Sequence, residues 1–179
     1  MKVLVVVDMQ NDFIDGALGT KEAQAIVPNV VKKIEEYKNK GYLIVATKDT
    51  HKPYYLETLE GKNLPIPHCI YNTEGWQFVE GITNKDFYEV YLKDTFGEID
   101  LGGFIYDALV KEALGPADEI ELVGLCTDIC VISNAIILKA SFPEIPITVD
   151  ASCCAGVTPE SHKNALEAMK MCQINIIND

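Results

Sequence analysis

Lys2-Val3-Leu4-Val5-Val6-Val7-Asp8 opens the chain with an apolar, largely β-branched run that ends on a carboxylate. The run has no polar alternation, which is the pattern of a strand buried on both faces of a parallel sheet. A helix should follow it. From 20 to 40 the residues Ala23, Ile26, Val27, Val30, Val31 and Ile34 recur at helical spacing, and Gly41 stops the helix. Further strand-like runs lie at 42–47, 89–92, 119–123, 147–149 and 174–177, with helical patterns near 103–114, 128–141 and 159–172. This alternation predicts an α/β, doubly wound, Rossmann-like fold: a six-stranded parallel sheet with helices on both faces and right-handed crossovers. The stretch 49–85 breaks the rhythm. Rich in proline and glycine and longer than an ordinary connection, it reads as a functional insertion within a single domain spanning 1–179.

The chain has 179 residues, 48% hydrophobic and 23% charged, enough for one domain with a full core. Its net charge of −12 comes from 27 acidic residues against 15 basic ones, all of them lysine. That balance argues against nucleic acid or an anionic membrane as partner and favours a small neutral or cationic ligand. Without arginine there is no bidentate guanidinium clamp for a dianionic substrate. No apolar stretch approaches the roughly 20 residues that a membrane-spanning helix needs. Six cysteines could pair, but Met1 and Lys2 lead directly into the first strand without a signal peptide, so the thiols are expected reduced, in the cytoplasm. Cys153, Cys154 and Cys172 read as packing residues.

On this scaffold Asp8 follows the first strand, Asp49 and His51 the second, Lys93 the third, and Cys126 to Cys130 the fourth. Carboxyl ends of parallel strands share one edge, where ligands bind, so residues about 120 apart in sequence can converge. The segment Val123-Gly124-Leu125-Cys126-Thr127-Asp128-Ile129-Cys130 delivers a thiol near a helix start, where the dipole and a nearby lysine favour a thiolate. Asp8 is the candidate base and Lys93 the candidate cation. Asp49 and His51 stand two apart and project to one side of an extended segment; His68 in the insertion can complete a metal site. Such a donor set suits zinc, manganese or iron(II). His162, the remaining histidine, has no motif around it and reads as a surface residue.

Taken in order, these segments resemble the motifs of the isochorismatase-like cysteine hydrolases, and most closely the nicotinamidase branch. The matching residues are Asp8-Met9-Gln10-Asn11-Asp12-Phe13, Asp49-Thr50-His51, His68-Cys69, Lys93, and Gly124 through Cys130 to Val131. The resemblance spans nearly the whole chain. It implies a thioester on Cys130, with Asp8 taking the thiol proton and returning one to the leaving ammonia, and Lys93 steadying both charges. It further implies an oxyanion hole built from the backbone amides of Cys126 and Cys130, a cis peptide before Cys126, and no role for the Cys126 thiol. One divalent metal ion is implied at Asp49, His51 and His68, with zinc favoured, Glu60 as an added ligand and Glu57 in reserve; it would orient a ring nitrogen of the substrate. Phe13 matches a ring-packing position. Many nicotinamidases place a tryptophan shortly before the metal histidine, whereas this chain has Asn63-Leu64-Pro65-Ile66-Pro67 there; Trp76 either covers the pocket or anchors the insertion, and Leu64 or another residue can form the second wall. The implied activity is hydrolysis of nicotinamide to nicotinate and ammonia. The alternative is an amidase for another small amide or N-carbamoyl compound. Isochorismate hydrolysis fits an arginine-free chain less well, and a silent binding module has no evident reason to keep Asp8, Lys93 and Cys130 together. A homo-oligomer is compatible with the fold.

Overall fold

β1 (Lys2–Val7) lies at the centre of the sheet because it has no residue to spare for water: Val3 through Val7 are all fully buried. In the computed structural model, which describes residues 1–179, β1 is followed by α1 (Asn11–Ile14), α2 (Lys21–Asn39), β2 (Leu43–Asp49), α3 (Leu59–Asn63) and β3 (Glu89–Lys93). The chain continues through α4 (Leu101–Lys111), β4 (Glu119–Leu125), α5 (Ile132–Ser141), β5 (Ile147–Ala155), α6 (Pro159–Met171) and β6 (Asn175–Ile177). The six strands are all parallel, in the order β3-β2-β1-β4-β5-β6.

This order means that the chain winds outward from β1 to β3, returns across the sheet, and winds outward again from β4 to β6. With right-handed crossovers, the reversal of direction sends the later helices to the opposite face. Leu4 and Val6 accordingly pack with Ile26, Val30 and Ile34 of α2. Val3, Val5 and Val7 pack on the other side with residues of α4, α5 and α6. The reversal opens a crevice between the carboxyl ends of β1 and β4, where Asp8 and Cys126 emerge. Gly124 lets these strands close up there: at its φ of 118° a Cβ would stand 2.1 Å from the Val7 carbonyl oxygen.

Several boundaries differ from the sequence reading. β5 continues to Ala155 instead of stopping near 149, and a register shift pairs Gly124 and Leu125 with Cys154 and Ala155. Its polar residue Asp150 stays inside the strand because it is buried against Lys33. The helix expected from 128 begins as a π-helical turn over Thr127–Val131, with Val131 N–H donating to the Cys126 carbonyl at 3.0 Å. The insertion is pinned to the body by isolated bridges joining Gln10 to Phe78 and His51 to Ile70. Cys153 and Cys154 are buried, but Cys172, at the end of α6, is exposed and packs nothing; all six cysteines are free thiols. No helix is long and apolar enough to cross a membrane.

Candidate active site

Asp8 ends β1 in a left-handed backbone conformation, φ 48°, which turns its carboxylate across the sheet edge. Its Oδ1 accepts from the Thr47 hydroxyl at 2.7 Å. Its Oδ2 lies 2.6 Å from Lys93 Nζ, an ion pair oblique enough to leave that oxygen without an aligned hydrogen-bond donor. Lys93, the last residue of β3, also donates to the Thr95 carbonyl at 3.0 Å and to Cys130 Sγ at 3.6 Å. Asp8 and Lys93 side chains are wholly buried, and Cys130 nearly so. Three residues from three strand ends thus meet, as the sheet edge predicts.

The charges of this cluster constrain one another. Burial pushes the Cys130 thiol well up, the Asp8 charge adds to this, and Lys93 opposes both. Burial would lower the Lys93 ammonium, but the charges of Asp8 and Asp49 oppose it and the pKa is raised. Burial also raises Asp8, with Lys93 opposing. Desolvation at Cys130 thus works against the thiolate that its position in the sequence favours, while the Lys93 ammonium and the helix start work for it.

Asp49 ends β2, and Gln10 clamps its backbone from both sides: Oε1 accepts from Asp49 N–H and Nε2 donates to its carbonyl, each at 2.8 Å. The carboxylate lies 3.0 Å from His51 Nε2 and 3.4 Å from His68 Nε2. Glu60 Oε1 stands 3.5 Å and 3.8 Å from the same two nitrogens. Ligand atoms of Asp49, His51 and His68 all fall within 4.8 Å of one another. His68 Nδ1 is 2.8 Å from the Ile66 carbonyl, so it carries the proton and Nε2 presents its lone pair to the cluster. His51 Nε2 is buried with no aligned partner. Burial would lower the His51 pKa, yet the adjoining Asp49 and Glu60 carboxylates push it up to about 9, so the cluster attracts positive charge. Two imidazole nitrogens and one or two carboxylates around a common point fit a divalent cation. Glu57 is exposed.

Cys126, Cys130, Asp49, Glu60 and His68 all line one cavity of ≈ 230 Å³. Apart from Thr20, its other walls are apolar and include Phe13, Leu64, Phe96, Ile129 and Val157. Phe13 also packs against His68, with ring centroids 5.6 Å apart. Phe96, Ile129 and Val157 were not read as walls in the sequence: Phe96 and Val157 come from segments after β3 and β5, and Ile129 lies on the nucleophile's own turn. The peptide between Leu125 and Cys126 is cis. The Cys126 thiol is pushed up to about 12 by burial and stays protonated.

Two expectations are corrected. Trp76 does not line the cavity. Its Nε1–H donates to Thr50 Oγ1 at 2.8 Å, its carbonyl accepts from Gln10, and Lys48 Nζ sits 3.2 Å from its ring centroid, so it braces β2 from behind. His162 is not a free surface residue: it is half-buried, and its Nδ1 lies 2.7 Å from the hydroxyl of Thr127 at the start of the π-helical turn.

The isochorismatase domain profile matches residues 2–178. Nicotinamidase/pyrazinamidase of Mycobacterium tuberculosis is 25% identical over 189 residues, which cover 99% of this chain and 98% of that protein. A protein of Arabidopsis thaliana described as a probable inactive nicotinamidase is 27% identical, covering 93% of this chain and 87% of its own. The crystal structure of pyrazinamidase of Pyrococcus horikoshii in complex with zinc superimposes with a TM-score of 0.82 at 30% identity, covering 99% of both chains. The chain belongs to the isochorismatase domain family.

Proposed function

We propose that this protein is a metal-dependent amidohydrolase that converts nicotinamide to nicotinate and ammonia. The observation that carries the reading is the contact of Lys93 with both Asp8 and Cys130 beside an apolar cavity that also reaches Asp49 and His68. Relatives named as nicotinamidases or pyrazinamidases support the substrate. The cavity's volume suits one heteroaromatic ring with its amide, and its apolar walls suit a neutral one. A divalent cation held by Asp49, His51 and His68, with Glu60 beside them, supplies an electrophilic anchor for a ring nitrogen. Zinc is the favoured ion, with manganese and iron(II) as alternatives. Phe13 and Leu64 flank the ring.

In this reading Cys130 Sγ forms a bond to the amide carbon while Asp8 Oδ2, the oxygen without an aligned donor, takes the thiol proton. The carbonyl oxygen becomes an oxyanion and accepts from the backbone N–H groups of Cys126 and Cys130. Asp8 returns its proton to nitrogen as the C–N bond breaks, and ammonia leaves a thioester on Cys130. Asp8 then takes a proton from the water that attacks this thioester, and passes it to the departing sulfur, releasing nicotinate. Lys93 holds Asp8 in place and balances the negative charge throughout. We place the reaction in the cytoplasm and the whole of 1–179 in one catalytic domain. With Trp76 behind β2, one cavity wall is aliphatic where an aromatic was expected; this favours another small amide as the second reading.

The test is ammonia release from nicotinamide after chelation and after adding back zinc, manganese or iron(II), beside Cys130→Ala. Release that returns with metal and falls on the order of 10⁴-fold or more in Cys130→Ala supports the reading. Turnover retained in that variant would refute the thioester. No release from wild-type protein whose Cys130 still alkylates would move the search to other small amides.

A further inference from the structure

Asn134 sits one turn beyond Cys130 on α5 and is completely buried. Its side chain makes three contacts, all to backbone. Oδ1 accepts from Glu98 N–H at 2.9 Å, and Nδ2 donates to the Cys130 carbonyl at 2.8 Å and to the Phe96 carbonyl at 3.5 Å. The segment it grips, 94–98, continues β3 and carries two parts of the site. Its Thr95 carbonyl accepts from Lys93 Nζ, and its Phe96 lines the cavity. The contacts form a closed ring: Cys130 sulfur to Lys93, Lys93 to Thr95, the 94–98 segment to Asn134, and Asn134 back to the Cys130 carbonyl.

The segment is held tightly. A Cβ at Gly97 would stand 2.6 Å from Ile137 Cδ1 and 3.1 Å from Ser133 Cβ, both on α5. Only a side-chain amide meets the demands at position 134, since the site needs an acceptor for Glu98 N–H and donors for two carbonyls. A carboxylate has no donor, and a hydrocarbon leaves all of these buried groups unpaired.

We propose that Asn134 is a positioning residue, registering the 94–98 segment against the nucleophile turn so that Lys93 faces Cys130 and Phe96 walls the cavity. It touches neither substrate nor reacting atom and acts through Lys93, Phe96 and Cys130. The proposal rests on Cys130 being the nucleophile, as in the proposed function.

The experiment uses the full chain loaded with metal, as wild type, Asn134→Asp, Asn134→Leu and Gly97→Ala. It reads kcat/KM for nicotinamide and, independently of any substrate, the rate of Cys130 alkylation by iodoacetamide from mildly acidic to alkaline pH. Asn134→Leu should slow both by about 10- to 100-fold at every pH. Asn134→Asp should match it at alkaline pH. Among backbone carbonyls the new carboxyl has a raised pKa, and once protonated it regains a donor, so its rate relative to wild type should climb as pH falls. Rates within about twofold of wild type in both Asn134 variants, or an Asn134→Asp deficit that ignores pH, would overturn the proposal. Should these variants not fold, Gly97→Ala decides by pushing the same segment off α5: slowed alkylation supports the proposal and wild-type alkylation overturns it. A wild type that releases no ammonia would sink the nicotinamide reading while alkylation still settles the role of Asn134.

Discussion

At the scale of single residues, the governing question is where the proton of Cys130 resides. The thiol is pushed well up by burial and by Asp8, and Lys93 at 3.6 Å offsets only part of this. Both effects hold the proton on sulfur more firmly than in a free thiol. Alkylation of Cys130 should still be rising with pH beyond about 8.5, the ordinary thiol value, because the folded value lies above it. A plateau near neutral pH would show a resting thiolate and refute this account. Asp8→Asn, which keeps shape and removes the base, should lower kcat/KM by roughly 10²- to 10⁴-fold in ammonia-release assays. The roles of the residues that hold these groups in place were not readable in the sequence, although Gln10 lies in a quoted motif. Gln10 and Asn134 work by bonding to the backbone of segments far away in the chain, and nothing local distinguishes such an amide from a solvated one.

Among the elements, the insertion from 49 to 85 shows how far composition can be trusted. Its length and its proline and glycine content mark it as functional, and it does bring Glu60, Leu64 and His68 to the cavity. Its one tryptophan does something else. Trp76 stacks on Lys48 and donates to Thr50, tying the insertion to the strand that carries Asp49. Trp76→Phe removes the donor and weakens the cation–π contact, so it should lower stability by about 1–2 kcal/mol in urea unfolding. KM for nicotinamide should stay within about twofold of wild type, and a tenfold rise would mean that Trp76 reaches the substrate after all. α6 was legible from its helical pattern, and in the structure Thr158 caps it, accepting from Ser161 N–H at 3.1 Å, with Pro159 as its first residue. Thr158→Ala should cost about 1 kcal/mol, read from the thermal midpoint. The π-helical turn at Thr127–Val131 was not legible, since its extra residue per turn reflects how the chain leaves β4 and not a change in apolar spacing.

For the molecule as a whole, α2 is tied to two neighbouring strands of the sheet by one buried ion network. Lys33 reaches from α2 to Glu121 of β4 at 2.7 Å and Asp150 of β5 at 2.8 Å, and the Tyr37 hydroxyl donates to Glu121 at 2.6 Å. Burial pushes the Asp150 carboxyl up, but hydrogen bonds from Lys33 and Ser152 outweigh it and hold the group below its usual value. A depressed carboxyl contributes stability that is present above its unfolded value, near 4, and is lost as pH falls through the folded one. Urea midpoints should therefore drop steeply in that acidic window, and Asp150→Asn should flatten the drop while lowering stability near neutral pH. An unchanged acid slope in the variant would remove Asp150 from the account. The sequence by itself determined the parallel fold, the order of its elements and the residues that carry charge, sulfur and imidazole to one edge, because apolar period and motif spacing are local properties. Only the tertiary structure decided that Trp76 stands behind β2, that His162 pairs with Thr127, that burial pushes the Cys130 thiol up and that Asn134 links two strand ends. These depend on desolvation and on hydrogen bonds between segments distant in the chain, and both come into being only when the core closes.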